Sequence, residues 1–182
     1  RAYDYSRSAN PTRDQLNDAI AVLEGGAGAT AVSTGLAAIT LVAEAFVPSG
    51  RRVVVQHDAY GGTWRLFTFL AEQGRLEVDF VDFNDDDALG AALALSPALV
   101  WIETPSNPLL RITDIRKVAD AAHAVGAMVA ADNTFLSPLY QRPLEHGADI
   151  VVHSTTKYIN GHSDVVGGVA VAAERDVHDR LR

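Results

Sequence analysis

Ala98-Leu99-Val100-Trp101-Ile102, then Ile115, Val118, Ala122 and Val125, then Ala127-Met128-Val129-Ala130-Ala131, and finally Asp149-Ile150-Val151-Val152-His153 set the fold class. The first, third and fourth are short apolar runs, as expected of strands covered on both faces. The second has the spacing of one helical face. Strand, helix, strand and strand with short connections predict parallel strands joined by crossovers.

The same alternation extends in both directions. Leu16, Ala19, Ile20 and Leu23 sit at i, i+3, i+4, i+7 and predict one face of a helix, stopped by Gly25-Gly26. Ala29 to Val32, Val53 to Val55 and Leu76 to Val81 read as strands. Leu36 to Phe46, Thr63 to Leu70 and Asp86 to Leu95 read as helices, and Gly168 to Ala173 as a last strand. The prediction is an α/β fold, a mostly parallel sheet with helices on both faces. In such sheets ligands bind at the carboxyl ends of the strands. Those ends are Ser33-Thr34-Gly35, His57 to Tyr60, Glu103 to Asn107, Asp132-Asn133-Thr134 and Ser154 to Lys157, where polar residues cluster.

Composition narrows the function classes. The chain has 182 residues, 48% of them hydrophobic and 21% charged, enough for one packed core. Its formal charge of −8 disfavours general binding to nucleic acid or anionic membrane. No apolar run reaches the ~18 residues of a membrane span. There is no Cys, which excludes disulfides, thiolate metal sites and cysteine nucleophiles and fits a reducing compartment such as the cytoplasm. Residue 1 is Arg, and the reading is of an internal piece of a longer protein.

Two familiar patterns fail on context. Gly26 to Ala31 loosely fits a dinucleotide fingerprint but follows a helix and opens a strand. Gly161-His162-Ser163-Asp164-Val165 lacks the closing glycine of a nucleophile elbow. The strand ends offer more. Ser33-Thr34-Gly35-Leu36, at a strand-to-helix junction, is either a plain N-cap or an anion cradle. Asp132 is either a turn residue or a fixed charge that keeps a ring nitrogen protonated. Lys157 is either a solvated surface charge or an imine-forming amine, with Ser154 and Thr156 as phosphate donors. Tyr60 either packs over the sheet end or stacks on a flat ring. Taken together, these residues describe a pyridoxal 5'-phosphate (PLP) site.

The motifs resemble the PLP enzymes of cysteine and methionine metabolism, the transsulfuration family. Those that carry the likeness are Tyr5 to Thr12, Leu23-Glu24-Gly25-Gly26, Thr34 to Ile39, Tyr60-Gly61-Gly62-Thr63, Glu103-Thr104-Pro105-Ser106-Asn107-Pro108, Asp132-Asn133-Thr134-Phe135 and His153 to His162. The resemblance implies the large domain of a fold type I, aspartate aminotransferase-like PLP enzyme over residues 21–182. It further implies a segment over residues 1–20 that contacts a neighbouring subunit, and a small C-terminal domain beyond Arg182. By resemblance, Lys157 is the Schiff-base lysine, Asp132 the partner of the pyridine nitrogen, and Tyr60 the stacking ring that also moves protons. These three are the catalytic set. Thr34, Gly35, Leu36, Ser154 and Thr156 hold the phosphate, and Asn107 meets the ring hydroxyl. Thr134 joins the cofactor contacts, and Tyr5 and Arg7 reach the phosphate of the adjacent protomer. No metal is implied.

Thr134-Phe135-Leu136-Ser137-Pro138 and Asn160 to Val166 point to the gamma-synthase branch of that family. The implied reaction joins an O-acylhomoserine, O-succinylhomoserine first, to cysteine and forms cystathionine for methionine biosynthesis in the cytoplasm. Amino acids are its small-molecule substrates and a homotetramer its assembly. Elimination by a lyase, a homoserine sulfhydrylase, and a PLP-binding fragment without turnover are the alternatives.

Overall fold

The computed structural model describes residues 3–182; the first two residues of the 1–20 segment lie outside it. The chain forms α1 (Pro11–Glu24), β1 (Gly28–Val32), α2 (Gly35–Phe46), β2 (Arg52–Gln56), α3 (Gly61–Glu72), β3 (Glu77–Val81), α4 (Asp86–Leu93), β4 (Leu99–Glu103) and α5 (Ile115–Ala124). It continues with β5 (Met128–Asp132), α6 (Ser137–Tyr140), a 3-10 turn at Pro143–His146, β6 (Ile150–His153), β7 (Gly168–Ala172) and α7 (Arg175–Arg180). Four of the helices, α1, α2, α4 and α5, start where short polar side chains cap them. Asn10, Thr34, Asp85 and Asp114 each accept from a free backbone N–H of the first turn. Gly25 closes α1 in the left-handed conformation at φ 76°.

The seven strands form one sheet in the order β1-β7-β6-β5-β4-β2-β3. Every pair is parallel except those of β7, which runs antiparallel to both β1 and β6. The carboxyl ends of the other six strands therefore share one edge, and the amino end of β7 joins them there. One face packs Ala38, Ile39 and Val42 of α2 and Phe67 and Leu70 of α3 against Val53, Trp101, Ala130 and Val152. The other packs α4 and α5 against Val54, Val100 and Val129, with α1 over Val151, Val169 and Val171. Each fully buried aliphatic chain contributes roughly 1.5–3 kcal/mol. The mostly parallel, doubly covered sheet expected from the apolar runs is the observed one.

Helix α1 departs from its expected face. Leu16 and Leu23 are 40% and 48% exposed, whereas Ile20, Ala21 and Glu24 are buried. The helix turns a partly polar side to the sheet because that side has partners. Asn17 Oδ1 accepts from the Ala31 N–H at 2.8 Å, and Glu24 reaches His153 and Asn133. Polar groups with partners can be buried at little cost, so counting apolar residues selects the wrong face here. Helix α1 also runs unbroken through residue 20, the boundary expected between arm and domain.

Candidate functional site

The carboxyl edge of the sheet is built around three close approaches that only glycine allows. At Gly35, a Cβ would stand 2.7 Å from the Ser154 Cβ and 2.9 Å from its Oγ. At Gly168, a Cβ would stand 2.1 Å from the Thr34 carbonyl oxygen. Gly167 would meet the Thr155 hydroxyl at 2.4 Å. The first turn of α2 is thus pressed against Ser154, with β7 threaded between β1 and β6. The result places backbone amides and a serine hydroxyl together at the positive end of a 12-residue helix. The Thr34 hydroxyl accepts from the Ala37 N–H at 2.9 Å and so caps α2. Leu36 lies in the first turn of α2, 42% exposed.

Asp132 ends β5 beside Glu103 at the end of β4, its direct register partner. Its Oδ1 accepts from the Thr134 N–H at 2.9 Å, and the Thr134 hydroxyl accepts from the Ser154 N–H at 2.8 Å. One short chain of bonds therefore runs from Asp132 through Thr134 to the cradle. Burial pushes the Asp132 carboxyl up, opposed by the Thr134 bonds and the nearby His153. Glu103 is pushed up to about 8, first by burial and then by the neighbouring charge of Asp132. Two carboxyls crowd one sheltered edge.

Glu103 is the site residue that sequence reasoning passed over. Its Oε2 accepts from the Tyr60 N–H at 2.7 Å, and the Asn107 N–H also favours its ionised form. One buried carboxyl therefore holds the backbones of both the expected stacking ring and the expected ring-hydroxyl donor. The signal was legible: Glu103 ends an apolar strand in the same way as Asp132.

Tyr60 caps α3 and folds its ring back over Gly62, where a Cβ would meet the ring at 2.4 Å. Asn107 is exposed, in a loop tied down at its neighbour Ser106, whose hydroxyl donates to Asp58 at 2.6 Å. Lys157 follows Ser154 in a turn, with its N–H donating to the Ser154 carbonyl at 3.2 Å. It is exposed and forms no ion pair among the described residues. Thr156 turns its hydroxyl to Gly167, donating to its carbonyl at 3.2 Å and accepting from its N–H at 3.1 Å. Tyr5 and Arg7 lie exposed ahead of α1. Arg7 lies over the Tyr5 ring at 5.1 Å, and its carbonyl accepts from Arg13. None of the described hydrogen bonds links either one to Ser154, Thr156 or Lys157. Among the described residues no group of three or more His, Asp or Glu could hold a metal ion, and no helix is long and apolar enough to cross a membrane.

The chain is 56% identical over 181 residues to cystathionine gamma-synthase of Escherichia coli, covering 100% of this chain and 47% of that protein. It is 47% identical to cystathionine gamma-lyase of Dictyostelium discoideum, covering 99% of this chain and 46% of the relative. The crystal structure of cystathionine gamma synthase from Xanthomonas oryzae in complex with cystathionine superposes with a TM-score of 0.98 at 60% identity, over 100% of this chain and 47% of that one. The chain thus spans about half the length of the relatives it matches. The profile of the Cys/Met metabolism PLP-dependent enzymes matches residues 1–182. With that match running over the strand ends that carry Tyr60, Asp132 and Lys157, the chain belongs to the Cys/Met metabolism family of PLP-dependent enzymes.

Proposed function

We propose that this chain is the PLP-binding part of an enzyme that joins an O-acylhomoserine, O-succinylhomoserine foremost, to cysteine and so forms cystathionine. The observation that carries the reading is the convergence of Lys157, Asp132 and the Gly35–Ser154 cradle on one sheet edge. The residues fit PLP on two counts. The glycines let the first turn of α2 close on Ser154, which sets the amides of that turn beside the Ser154 hydroxyl. The carboxyl pair at Glu103 and Asp132 offers a place for a protonated ring nitrogen.

When bound, PLP supplies an electron sink for charge that develops at the substrate carbon. Lys157 would hold the cofactor through its amine and, when free, would carry protons at the substrate Cα. Asp132 holds the proton on the ring nitrogen. Tyr60 stacks on the ring, and its hydroxyl is a second proton carrier beside Lys157. The amides of Thr34, Gly35 and Leu36 and the hydroxyls of Ser154 and Thr156 would hold the phosphate. Asn107 meets the ring hydroxyl, and Thr134 braces Asp132 against Ser154.

Tyr5 and Arg7 are assigned to the phosphate of a neighbouring protomer in a cytoplasmic homotetramer. Their exposure and the lack of a described hydrogen bond to this chain's own cradle support that assignment. In the same layout the segment ahead of α1 forms the contacting arm and the residues from α1 onward belong to the large domain.

Borohydride reduction of the PLP-loaded full-length protein, followed by peptide mapping, should label Lys157; a label on Lys117 would overturn the assignment. The lyase relatives favour a second reading, elimination from cystathionine on the same residues. Product analysis with O-succinylhomoserine plus cysteine, set against cystathionine alone, separates the two.

A further inference from the structure

A second polar cluster lies on the α1 side of the same strand ends. Glu24, the last residue of α1, is fully buried, as are His153 and Asn133. Glu24 Oε1 accepts from His153 Nε2 at 2.6 Å and from Asn133 Nδ2 at 2.9 Å. Asn133 Nδ2 also donates to the Gln141 carbonyl at 2.7 Å. The Gln141 amide donates to Asn133 Oδ1 at 3.0 Å and to the Thr104 carbonyl at 2.8 Å. The bonds thus tie together α1, β5, β6 and the loop after β4.

Stability alone is a poor account of this cluster. Glu24 Oε2 and His153 Nδ1 are buried with no partner, which makes the network costlier than an apolar filling of the same volume. Its placement is more informative. Asn133 directly follows Asp132, and His153 directly precedes Ser154. Alternation along each strand sends Asn133 and His153 toward α1, and Asp132 toward the opposite face with Ala130. Glu24 therefore grips, from behind, the residues that flank the two ends of the proposed cofactor site.

We propose that Glu24 is a positioning residue for the cofactor, clamping Asn133 and His153 so that Asp132 and Ser154 stand at a fixed separation. The inference rests on the PLP reading of the site. A cofactor gripped at its ring nitrogen and its phosphate is sensitive to that separation, as reaction rates are to a ~1 Å displacement of a positioned group, which can cost ~100-fold in rate.

The test uses the full-length protein. Wild type is first shown to take up PLP and to be labelled at Lys157, so that failure of the site reading is seen separately. PLP dissociation constants and the absorption maximum of the bound cofactor are then compared among three variants. Glu24→Gln keeps an acceptor for both bonds and should stay within about twofold of wild type. Glu24→Leu fills the volume without the bonds and should weaken PLP at least tenfold and shift the absorption maximum. Leu89→Ala, a core truncation under α4, controls for lost stability and should leave both readouts unchanged. Wild-type affinity and spectrum in Glu24→Leu would overturn the proposal, as would an equal loss in Leu89→Ala or a large loss in Glu24→Gln. Failure of Glu24→Leu to fold would also overturn it, by showing that the residue serves the fold.

Discussion

Glu103 shows how one carboxyl can couple the site to pH. In the folded chain it keeps its proton up to about 8, whereas its ordinary value is 4.5. Below the ordinary value both folded and unfolded forms are protonated and the burial is tolerated. Between there and about 8 the unfolded chain ionises first, so stability falls as pH rises, by up to ~1.4 kcal/mol per pH unit. Glu103→Gln mimics the protonated form and still accepts from Tyr60. The PLP-free variant should match wild type near pH 4.5 and exceed it in melting temperature above pH 8; parallel curves in thermal melts across that range would contradict the assignment. Asp132 is also pushed up by burial and leaves a residual slope. Asp132→Asn keeps the shape but cannot hold a ring nitrogen protonated. In the full-length enzyme it should retain much of its PLP binding while losing at least ~100-fold in turnover, read as kcat against cofactor affinity.

At the scale of elements, two segments set the site. The first is β7, whose Gly168 leaves no room for a side chain against the Thr34 carbonyl. Gly168→Ala must push β7 away from the first turn of α2. Overpacking of this kind costs about 1–3 kcal/mol, and the backbone clash places it at the upper end. Chemical denaturation should show that loss together with weaker phosphate-end binding. The second is the loop that carries Asn107. Asp58 accepts from Ser106 Oγ at 2.6 Å and from Gln56 Nε2 at 2.9 Å, and Arg111 sits between Asp82 and His57. Burial opposes ionisation of Asp58, but the bonds from Ser106 and Gln56 outweigh it and its carboxyl lies below the usual range. Its contribution is therefore present above the ordinary carboxylate range and lost as pH falls through its lowered value. Asp58→Asn should cost about 1–3 kcal/mol at pH 7 and flatten the acid limb of the stability curve. An unchanged acid limb in urea titrations from pH 2 to 6 would remove Asp58 from that role.

At the scale of the whole molecule, one prediction concerns assembly. If Arg7 serves the phosphate of a neighbouring protomer, an Arg7→Ala chain and a Lys157→Ala chain are each inactive, but a hybrid contains one intact site. Mixing the two full-length variants under subunit-exchange conditions should restore a measurable fraction of activity. Absence of rescue would argue for a site built within one chain.

The sequence by itself determined the element types and the edge that bears the chemistry. Apolar runs of five residues and helical spacings are local properties, and they specify strands and helices without knowledge of the partners. They also placed Asp132, Ser154 and Lys157 just past strand ends, and the family motifs were readable as strings. Only the tertiary structure decided which strand ends meet. The insertion of β7, antiparallel, between β1 and β6 is what presses Gly35 against Ser154, and the pairing of β4 with β5 is what sets Glu103 beside Asp132. Periodicity carries no record of pairing order, because the same alternation of apolar residues is compatible with several orders. The orientation of α1 was hidden for a related reason. Its buried side holds Asn17 and Glu24, polar residues whose partners come from β1, β5 and β6, and no local count of hydrophobicity includes a hydrogen bond made across the fold.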